Sequence, residues 1–411
     1  MEMIKLERCQ VAIDPDSGFW SIFDGKLPED VINLWIENRD ALKDELKSYR
    51  FDIGFKTTYV NPTEKCNASC PYCYIPPEIR KRGRNMSYSQ LEEILNHLKD
   101  LGVEWVIFHG SEPLIVKDMI FKAIEEYEFN FGIQTNGFLL DESDVDFLIE
   151  SGVNLGLSFD SPHKEVNDML RGDGHFDAAM RVINWFKGYS KFNVITTINR
   201  YNYRHLTDMI ELLAEKVGTV LMNPVRGTIK EARDLRAPPE EAAGEFIKAV
   251  ERSIELTGEG RRIVIGDFAN IVLGIVAPTS RVLQCDISPC GAGRRFFAVT
   301  LDGIFPCGEF IGLEEFKVSL DRIRYLEDEF SEVKARVVEE IEECKTCSYR
   351  HICGNPCPAE VYAEKGNLLE KSPYCEFYKR IIEFAFEVIA RGDVDKVVRL
   401  DKMRVKYNLE A

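Results

Sequence analysis

The sequence predicts an α/β protein built on one parallel sheet, and three observations carry that expectation. Between residues 51 and 257, six strand-like runs alternate with six stretches of helical period. Strand–helix units repeated in this way build parallel sheets through right-handed crossovers. Cys66, Gly110, Asn136, Ser158, Asn199 and Asn223 all fall at or just after predicted strand ends. A sheet of this kind can curl into a partial, TIM-like (β/α)6 barrel, where chemistry collects at the C-terminal strand ends. The third observation is a change of character: from Cys285 the chain becomes cysteine-rich, with short strands and turns.

The elements follow in order. Residues 1–50 read as a small β/α appendage, with strands over Met3–Arg8 and Gly18–Phe23 separated by the turn-forming Asp14-Pro15-Asp16. Its helix spans Leu27–Lys47, with Val31, Leu34, Trp35, Leu42 and Leu46 roughly in helical period. The appendage is expected to cover the open end of the next domain, since a full peptide-recognition module needs more chain. The six strands are Ile53–Val60, Glu104–Phe108, Phe131–Gln134, Asn154–Phe159, Asn193–Ile198 and Thr219–Met222. The helices are Ser87–Leu101, Lys117–Glu126, Asp141–Glu150, Phe176–Lys187, Tyr203–Glu215 and Glu240–Leu256. Ser87 with Gln90 three residues on forms a capping box, and Gly102 stops the first helix. Residues 258–284 read as a bridge. In the 285–380 domain Phe296–Thr300 and Ile304–Phe305 flank Asp302-Gly303 as a hairpin, and helix continues from Phe377 to Arg391. Residues 381–411 form a helical tail.

A chain of 411 residues with 45% hydrophobic and 29% charged residues is an ordinary globular protein of two or more domains. Lys and Arg number 52 against 69 Asp and Glu, a net charge of −17. That balance argues against nucleic-acid phosphates or anionic lipid as the main partner. The basic run Arg80-Lys81-Arg82-Gly83-Arg84 reads as a solvated loop in preference to a dock for an acidic ligand. The N-terminus has no apolar core of signal-peptide length, and Phe268–Ala277 is too short and too glycine-broken to span a bilayer. A cytoplasmic location is expected, and there the twelve cysteines are metal ligands before they are disulfides.

Asn61–Pro76 holds Cys66, Cys70 and Cys73 within sixteen residues. Such short intervals let one loop wrap a single inorganic centre, and they supply three thiolates. A structural zinc site and an ordinary iron–sulfur cube each take four ligands, so three suggest a cluster with one metal position free. Eight further cysteines, Cys285, Cys290, Cys307, Cys344, Cys347, Cys353, Cys357 and Cys375, make two four-ligand sites, for which zinc and iron–sulfur both remain open. Cys9 stands alone and reads as a small thiol without function.

Cys66-x3-Cys70-x2-Cys73 after the first strand, Tyr72 before the third cysteine, and Gly110-Ser111-Glu112-Pro113 after the second strand resemble the radical S-adenosylmethionine (SAM) enzymes. The C-terminal run resembles that superfamily's SPASM extension. Cys290 is followed after twelve residues by Gly303 and after three more by Cys307, then come Cys344-x2-Cys347-x5-Cys353-x3-Cys357 and, seventeen residues on, Cys375. The likeness runs from about 55 to 380; Gly303 lies one residue closer to Cys307 than is usual, and Ser111 stands where the family more often has Gly.

The resemblance implies three [4Fe–4S] clusters and SAM. Cys66, Cys70 and Cys73 would hold the first, its fourth iron chelated by SAM, and one electron would cleave SAM to a 5′-deoxyadenosyl radical that abstracts a substrate hydrogen. Cys285, Cys290, Cys307 and Cys357 would hold one auxiliary cluster, and Cys344, Cys347, Cys353 and Cys375 the other. Fully ligated auxiliary clusters imply electron transfer or a fixed electrostatic role. Glu112 would accept hydrogen bonds from the SAM amino group, Ser158 would contact its carboxylate, and Arg171 would pair with that carboxylate. Tyr72 and Asn136 would lie at the cofactor, Asn136 otherwise serving only as a turn residue in Thr135-Asn136-Gly137. His109 reads as a packed histidine. Enzymes of this type mostly modify ribosomally made peptides or proteins, and a flavodoxin or ferredoxin would supply the electron.

The sulfatase-maturating relatives carry an aspartate directly after the cysteine equivalent to Cys307, where this chain has Gly308 and then Glu309. Glu309 would replace it as the base with a longer reach. The departure makes formylglycine formation the second expectation, behind hydrogen abstraction from a precursor peptide that ends in a thioether, carbon–carbon or carbon–oxygen crosslink or an epimerisation. A non-enzymatic zinc or iron–sulfur scaffold is the alternative of another class.

Overall fold

The computed structural model describes residues 1–52, 54–277, 283–285 and 287–399. Ile53 of the first predicted strand, part of the 258–284 bridge and the tail beyond residue 399 lie outside the described residues.

Three antiparallel strands, β1 (Glu2–Lys5), β2 (Gln10–Asp14) and β3 (Phe19–Phe23), open the chain in the order β1-β2-β3. The helix Glu29–Phe51 follows. β2 is an additional strand, lying between the first expected strand and the Asp14-Pro15-Asp16 turn, and its Val11, Ala12 and Ile13 are buried. This appendage packs on the C-terminal half of the molecule. Trp20 Nε1 donates to Ile275 O at 2.8 Å and its ring meets Phe386 edge-on. Arg50 forks onto Glu339 at 2.8 and 3.0 Å.

The central sheet contains the six expected parallel strands: β4 (Thr57–Val60), β5 (Trp105–Phe108), β6 (Asn130–Thr135), β7 (Asn154–Ser158), β8 (Phe192–Ile198) and β9 (Thr219–Pro224). It extends beyond both edges. The stretch read as a bridge contributes β10 (Val264–Ile265), parallel to β9, and then the helix Gly266–Val276, whose Phe268, Val272 and Ile275 are buried. At the other edge β11 (Phe296–Val299) runs parallel to β4 and turns into β12 (Ile304–Phe305), the hairpin expected around Asp302-Gly303. The order is therefore β10-β9-β8-β7-β6-β5-β4-β11-β12, and the cysteine-rich region shares the sheet.

Crossover helices cover the outer face. Tyr88–Asp100 begins with the predicted capping box: Ser87 Oγ accepts from Gln90 N–H at 3.3 Å, and Gln90 Oε1 accepts from Ser87 N–H at 2.9 Å. Its Leu91, Leu95 and Leu98 pack in one core with Val106, Ile133, Leu155 and Val194. Each such side chain contributes about 1.5–3 kcal/mol by leaving water. Tyr203–Glu215, read as one helix, divides into a 3-10 turn at Tyr203–His205 and the helix Leu206–Leu213. Near the end of the described residues come the helix Cys375–Ala390, whose Phe377, Ile381, Phe384, Ala385 and Val388 are buried, and the short helix Val394–Val397.

Candidate active site

Every strand of the parallel set delivers its end to one side of the sheet. The loop after β4 carries Cys66, Cys70 and Cys73, and its flank is fixed by ion pairs. Glu64, nearly buried, receives Arg84 Nε at 3.0 Å and Arg82 Nη2 at 2.9 Å, and Asp302 of the β11–β12 turn takes a second contact from each arginine. The basic run is thus partly a structural clamp and not merely a solvated loop.

Gly110 follows β5 with φ +108°, and a Cβ there would lie 2.4 Å from the Asn61 side chain, so only glycine fits. Ser111 Oγ donates to Glu64 O at 3.0 Å, which gives its hydroxyl a structural task. Glu112 is 1% exposed. Its carboxylate accepts from Leu114 N–H (3.1 Å), Thr135 Oγ (2.7 Å) and Asn136 N–H (2.8 Å), donors that are all neutral. Burial pushes it up to about 7 against the pull of those bonds. A buried carboxylate bonded only to neutral donors favours a cationic ligand.

Asn136 has ordinary backbone, and the left-handed residue of the turn is Gly137 at φ +80°. Its Nδ2 donates to Asn67 Oδ1 at 2.7 Å, tying the β6 turn to the cysteine loop. Its carbonyl accepts from His175 Nε2 at 2.9 Å, and His175 Nδ1 accepts from Asn167 Nδ2 at 2.9 Å. Those two bonds fix one neutral tautomer.

Ser158 closes β7, half-buried. Two residues on, Asp160 makes the contacts that sequence reading missed. Arg171 forks onto it at 2.6 and 3.2 Å, the Tyr72 hydroxyl donates to it, and Thr197 N–H donates at 2.8 Å. The Arg171 guanidinium lies 5.3 Å from the Tyr72 ring centroid and also reaches the Cys70 thiol, pulling against the burial that raises it. Only the segment Ser158-Phe159-Asp160, with an arginine eleven residues later, hints at this in the sequence.

The three loop thiols act on one another. Burial pushes Cys66 up to about 11; the Ala68 N–H opposes this, and Glu112, Cys70 and Cys73 reinforce it. The eight cysteines of the C-terminal region influence one another in two groups. Cys285 hydrogen-bonds Cys290 and is raised by Cys290, Cys307 and Cys357. Cys353 is raised by burial and by Cys375, Cys347 and Cys344. These influences group the eight as four and four, interleaved in sequence as Cys357 falls after Cys353.

Between the loop and Cys307 lies a cluster of polar side chains. Tyr74 stacks on His109 with ring centroids 5.6 Å apart, its hydroxyl 2.9 Å from Nδ1. Burial raises Tyr74 well above the usual phenol range, and Glu309, Cys73, Tyr59 and Cys307 reinforce it. Burial takes His109 down to about 4, so it is neutral. Glu309 sits in the 3-10 turn Gly308–Phe310 directly after Cys307; its Oε2 is buried without a hydrogen-bond partner. Burial pushes it up to about 7, with Arg226 pulling it down and Glu360 pushing it up.

Residues 60–213 match the radical SAM superfamily. The chain belongs to it. An uncharacterized protein of Archaeoglobus fulgidus is 56% identical over 399 residues, 96% of each chain. The cysteine-type anaerobic sulfatase-maturating enzyme of Clostridium perfringens is 25% identical over 363 residues, covering 78% of this chain and 93% of the enzyme. Among solved structures, native anSMEcpe with bound AdoMet and a Cp18Cys peptide superposes with a TM-score of 0.68 at 22% identity, over 82% of this chain and 98% of that one. Streptococcus suis SuiB bound to its precursor peptide SuiA gives 0.61 at 16% identity, over 86% and 84%. These likenesses establish the radical SAM fold with its cysteine-rich C-terminal region. The superfamily uses a [4Fe–4S] cluster and SAM, and the donor chemistry fits: three half-buried thiols on one loop gain from losing their protons to a metal centre, beside a carboxylate that receives no cation among the described residues. Among the described residues no helix is long and apolar enough to cross a membrane.

Proposed function

We propose that this chain is a peptide-modifying maturase that removes a hydrogen atom from a residue of a ribosomally made precursor peptide and leaves a crosslink or an epimerised centre. The observation that carries the reading is the cluster of Tyr74, His109 and Glu309 between the cysteine loop and Cys307. Relatives and fold neighbours that act on peptides or proteins support it.

Cys66, Cys70 and Cys73 would hold the cluster to which SAM binds, and the two sets of four would hold auxiliary clusters, three [4Fe–4S] centres in all. When bound, the first cluster and SAM supply a 5′-deoxyadenosyl radical. The protein's own residues do the rest. Glu112 accepts the SAM ammonium, with Leu114, Thr135 and Asn136 holding both carboxylate oxygens in place. Ser158 lies where it would meet the SAM carboxylate. Arg171 braces Cys70 and Tyr72 through Asp160, and lends positive charge to the same corner. Asn136 positions the loop through Asn67.

Beside Cys307, Glu309 would be the proton acceptor for the substrate after hydrogen abstraction. Its Oε2 has no competing bond among the described residues, and burial places its proton affinity near neutrality, where a general base works best. The auxiliary centres would supply a path for the electron released when a crosslink forms, and a flavodoxin- or ferredoxin-type reductant would supply the electron that the first cluster needs. Formylglycine formation on a sulfatase-like protein is the second reading, favoured by the 93% coverage of the sulfatase-maturating enzyme.

The test is anaerobic reconstitution with iron and sulfide, reduction by dithionite, and incubation with short peptides encoded beside the gene. The expected result is 5′-deoxyadenosine together with a peptide that has lost two hydrogens, or one that has gained solvent deuterium at a single Cα. A zinc-loaded protein that never cleaves SAM would sink the reading, and turnover confined to a Cys-x-Pro-x-Arg peptide would establish the second one.

A further inference from the structure

Arg336 stands where the two four-cysteine sets meet. It follows the short helix Ser331–Ala335 and is 3% exposed. Its Nε donates to Leu368 O at 2.7 Å and its Nη2 to Asn355 O at 3.0 Å. Asn355 is the middle residue of Cys353-Gly354-Asn355-Pro356-Cys357, the segment in which the chain passes from the second set to the first. That residue is itself pinned. Its Nδ2 donates to Glu370 O at 2.9 Å, and its Oδ1 accepts from Ser372 N–H at 2.7 Å. Ser372 O in turn accepts from Cys375 N–H at 3.2 Å. Guanidinium, crossover segment and last cysteine form one hydrogen-bonded unit.

The charge on this unit is not neutralised by the bonds it makes, because both acceptors are backbone carbonyls. A guanidinium keeps its proton in proteins, and burying it without an anion is costly. The anions within reach come from the cysteines. Burial draws the Arg336 proton affinity down, and Cys290 and Cys357 of one set, with Cys344 and Cys353 of the other, draw it back up. Other cations act on one set each. Arg294 lowers Cys290, Arg226 lowers Cys357, and Lys371 and Lys379 lower Cys375. Arg336 reaches both.

We propose that Arg336 is a shared counter-cation for the two auxiliary clusters, a positioning residue that raises the reduction potential of both together. The inference rests on the cluster reading of the eight cysteines given above. A cube ligated by four thiolates is a net anion, and each added electron deepens its negative charge, so a fixed positive charge beside it favours the reduced form. Placed between two such anions, the same charge sets their potentials in step.

The experiment is a redox titration of the reconstituted full chain, followed by EPR at each potential, for wild type, R336Q and R336K. In R336Q both auxiliary centres become harder to reduce by at least tenfold, which is 59 mV for a one-electron couple, while the SAM-cluster signal stays in place. R336K, which keeps the charge, retains full iron content and shifts either centre less than threefold. Unmoved auxiliary potentials in an iron-replete R336Q protein overturn the proposal, as does a shift of one centre alone. Should R336Q fail to hold its clusters, R336K decides: equal iron loss there assigns Arg336 to backbone bonding and refutes the charge role. Wild-type protein that holds iron only at the loop would instead overturn the cluster reading itself, and the proposal with it.

Discussion

At the scale of single residues, two buried polar groups of the site, Glu112 and His175, are held by neutral partners, and each bears a cost that depends on pH. His175 is the clearest case, because its two ring nitrogens are both committed, one to the Asn136 carbonyl and the other to the Asn167 amide. Protonation would set an N–H against the Asn167 donor. Burial, the largest influence, accordingly lowers its pKa from 6.5 to about 4, helped by the Arg171 charge. A depressed value means that the unfolded chain takes up the proton first as pH falls. The stability His175 contributes is therefore complete above about pH 6.5 and is lost as pH drops through about 4, a change of about 3 kcal/mol at most. Glu112 works in the opposite sense, since its raised value favours the folded state at low pH and loses that advantage as pH rises through about 7. Urea denaturation from pH 4.5 to 7 should show the difference when H175Q is compared with wild type. The variant's curve should rise less steeply with pH, and parallel curves would contradict this account.

At the scale of elements, the helix Pro358–Lys365 of the cysteine-rich region is fastened to the loop after β9 by one carboxylate. Glu360, wholly buried, accepts from Gly227 N–H and Arg236 Nη2, each at 2.7 Å, and faces Arg226 at 3.7 Å. Glu360→Gln removes the anion that Arg226 and Arg236 share and leaves Arg236 only Glu364, at 2.6 Å, and a cost of about 3 kcal/mol is expected for breaking such a buried pair. The denaturant midpoint of the unreconstituted chain should fall accordingly; an unchanged midpoint would mean that water already solvates this cluster. None of this is legible in the sequence, where Glu360 is one acid among many. The regular elements were legible because their signals are local. Lys117–Glu126 appears at its predicted bounds, and Ser87 and Gln90 cap their helix as expected. Among the elements that escaped, two have plain physical reasons. Lys164–Arg171 is short, strongly polar and flanked by Gly172, while Gly266–Val276 is largely apolar and lacks the alternation that marks a half-exposed helix. The same limit governed the site. Cysteine spacing announces ligands, but Asp160 gathers Tyr72, Arg171 and Thr197 from three separate stretches of chain.

At the scale of the whole molecule, the chain carries three cysteines in the loop after β4 and eight in the region whose β11 pairs with that strand. The division of labour predicts different defects. Cys70→Ala should abolish 5′-deoxyadenosine formation, since two thiolates do not hold the loop cluster with its open position. Cys347→Ala should leave measurable SAM cleavage while reducing coupled peptide turnover several-fold; equal loss of both activities in the two variants would show the centres to be inseparable. The pairing of β11 with β4 has one more consequence, in the order of synthesis. Residues 57–60, just before the cysteine loop, emerge from the ribosome long before residues 296–299 that pair with them. Until those arrive, one edge of the strand bearing that loop has no neighbour, and folding must wait on a contact between distant parts of the chain. The nascent loop completes its frame only after Cys285 and Cys290 have also left the ribosome, so on the reading proposed above metal insertion at the loop is a late event in the life of the chain.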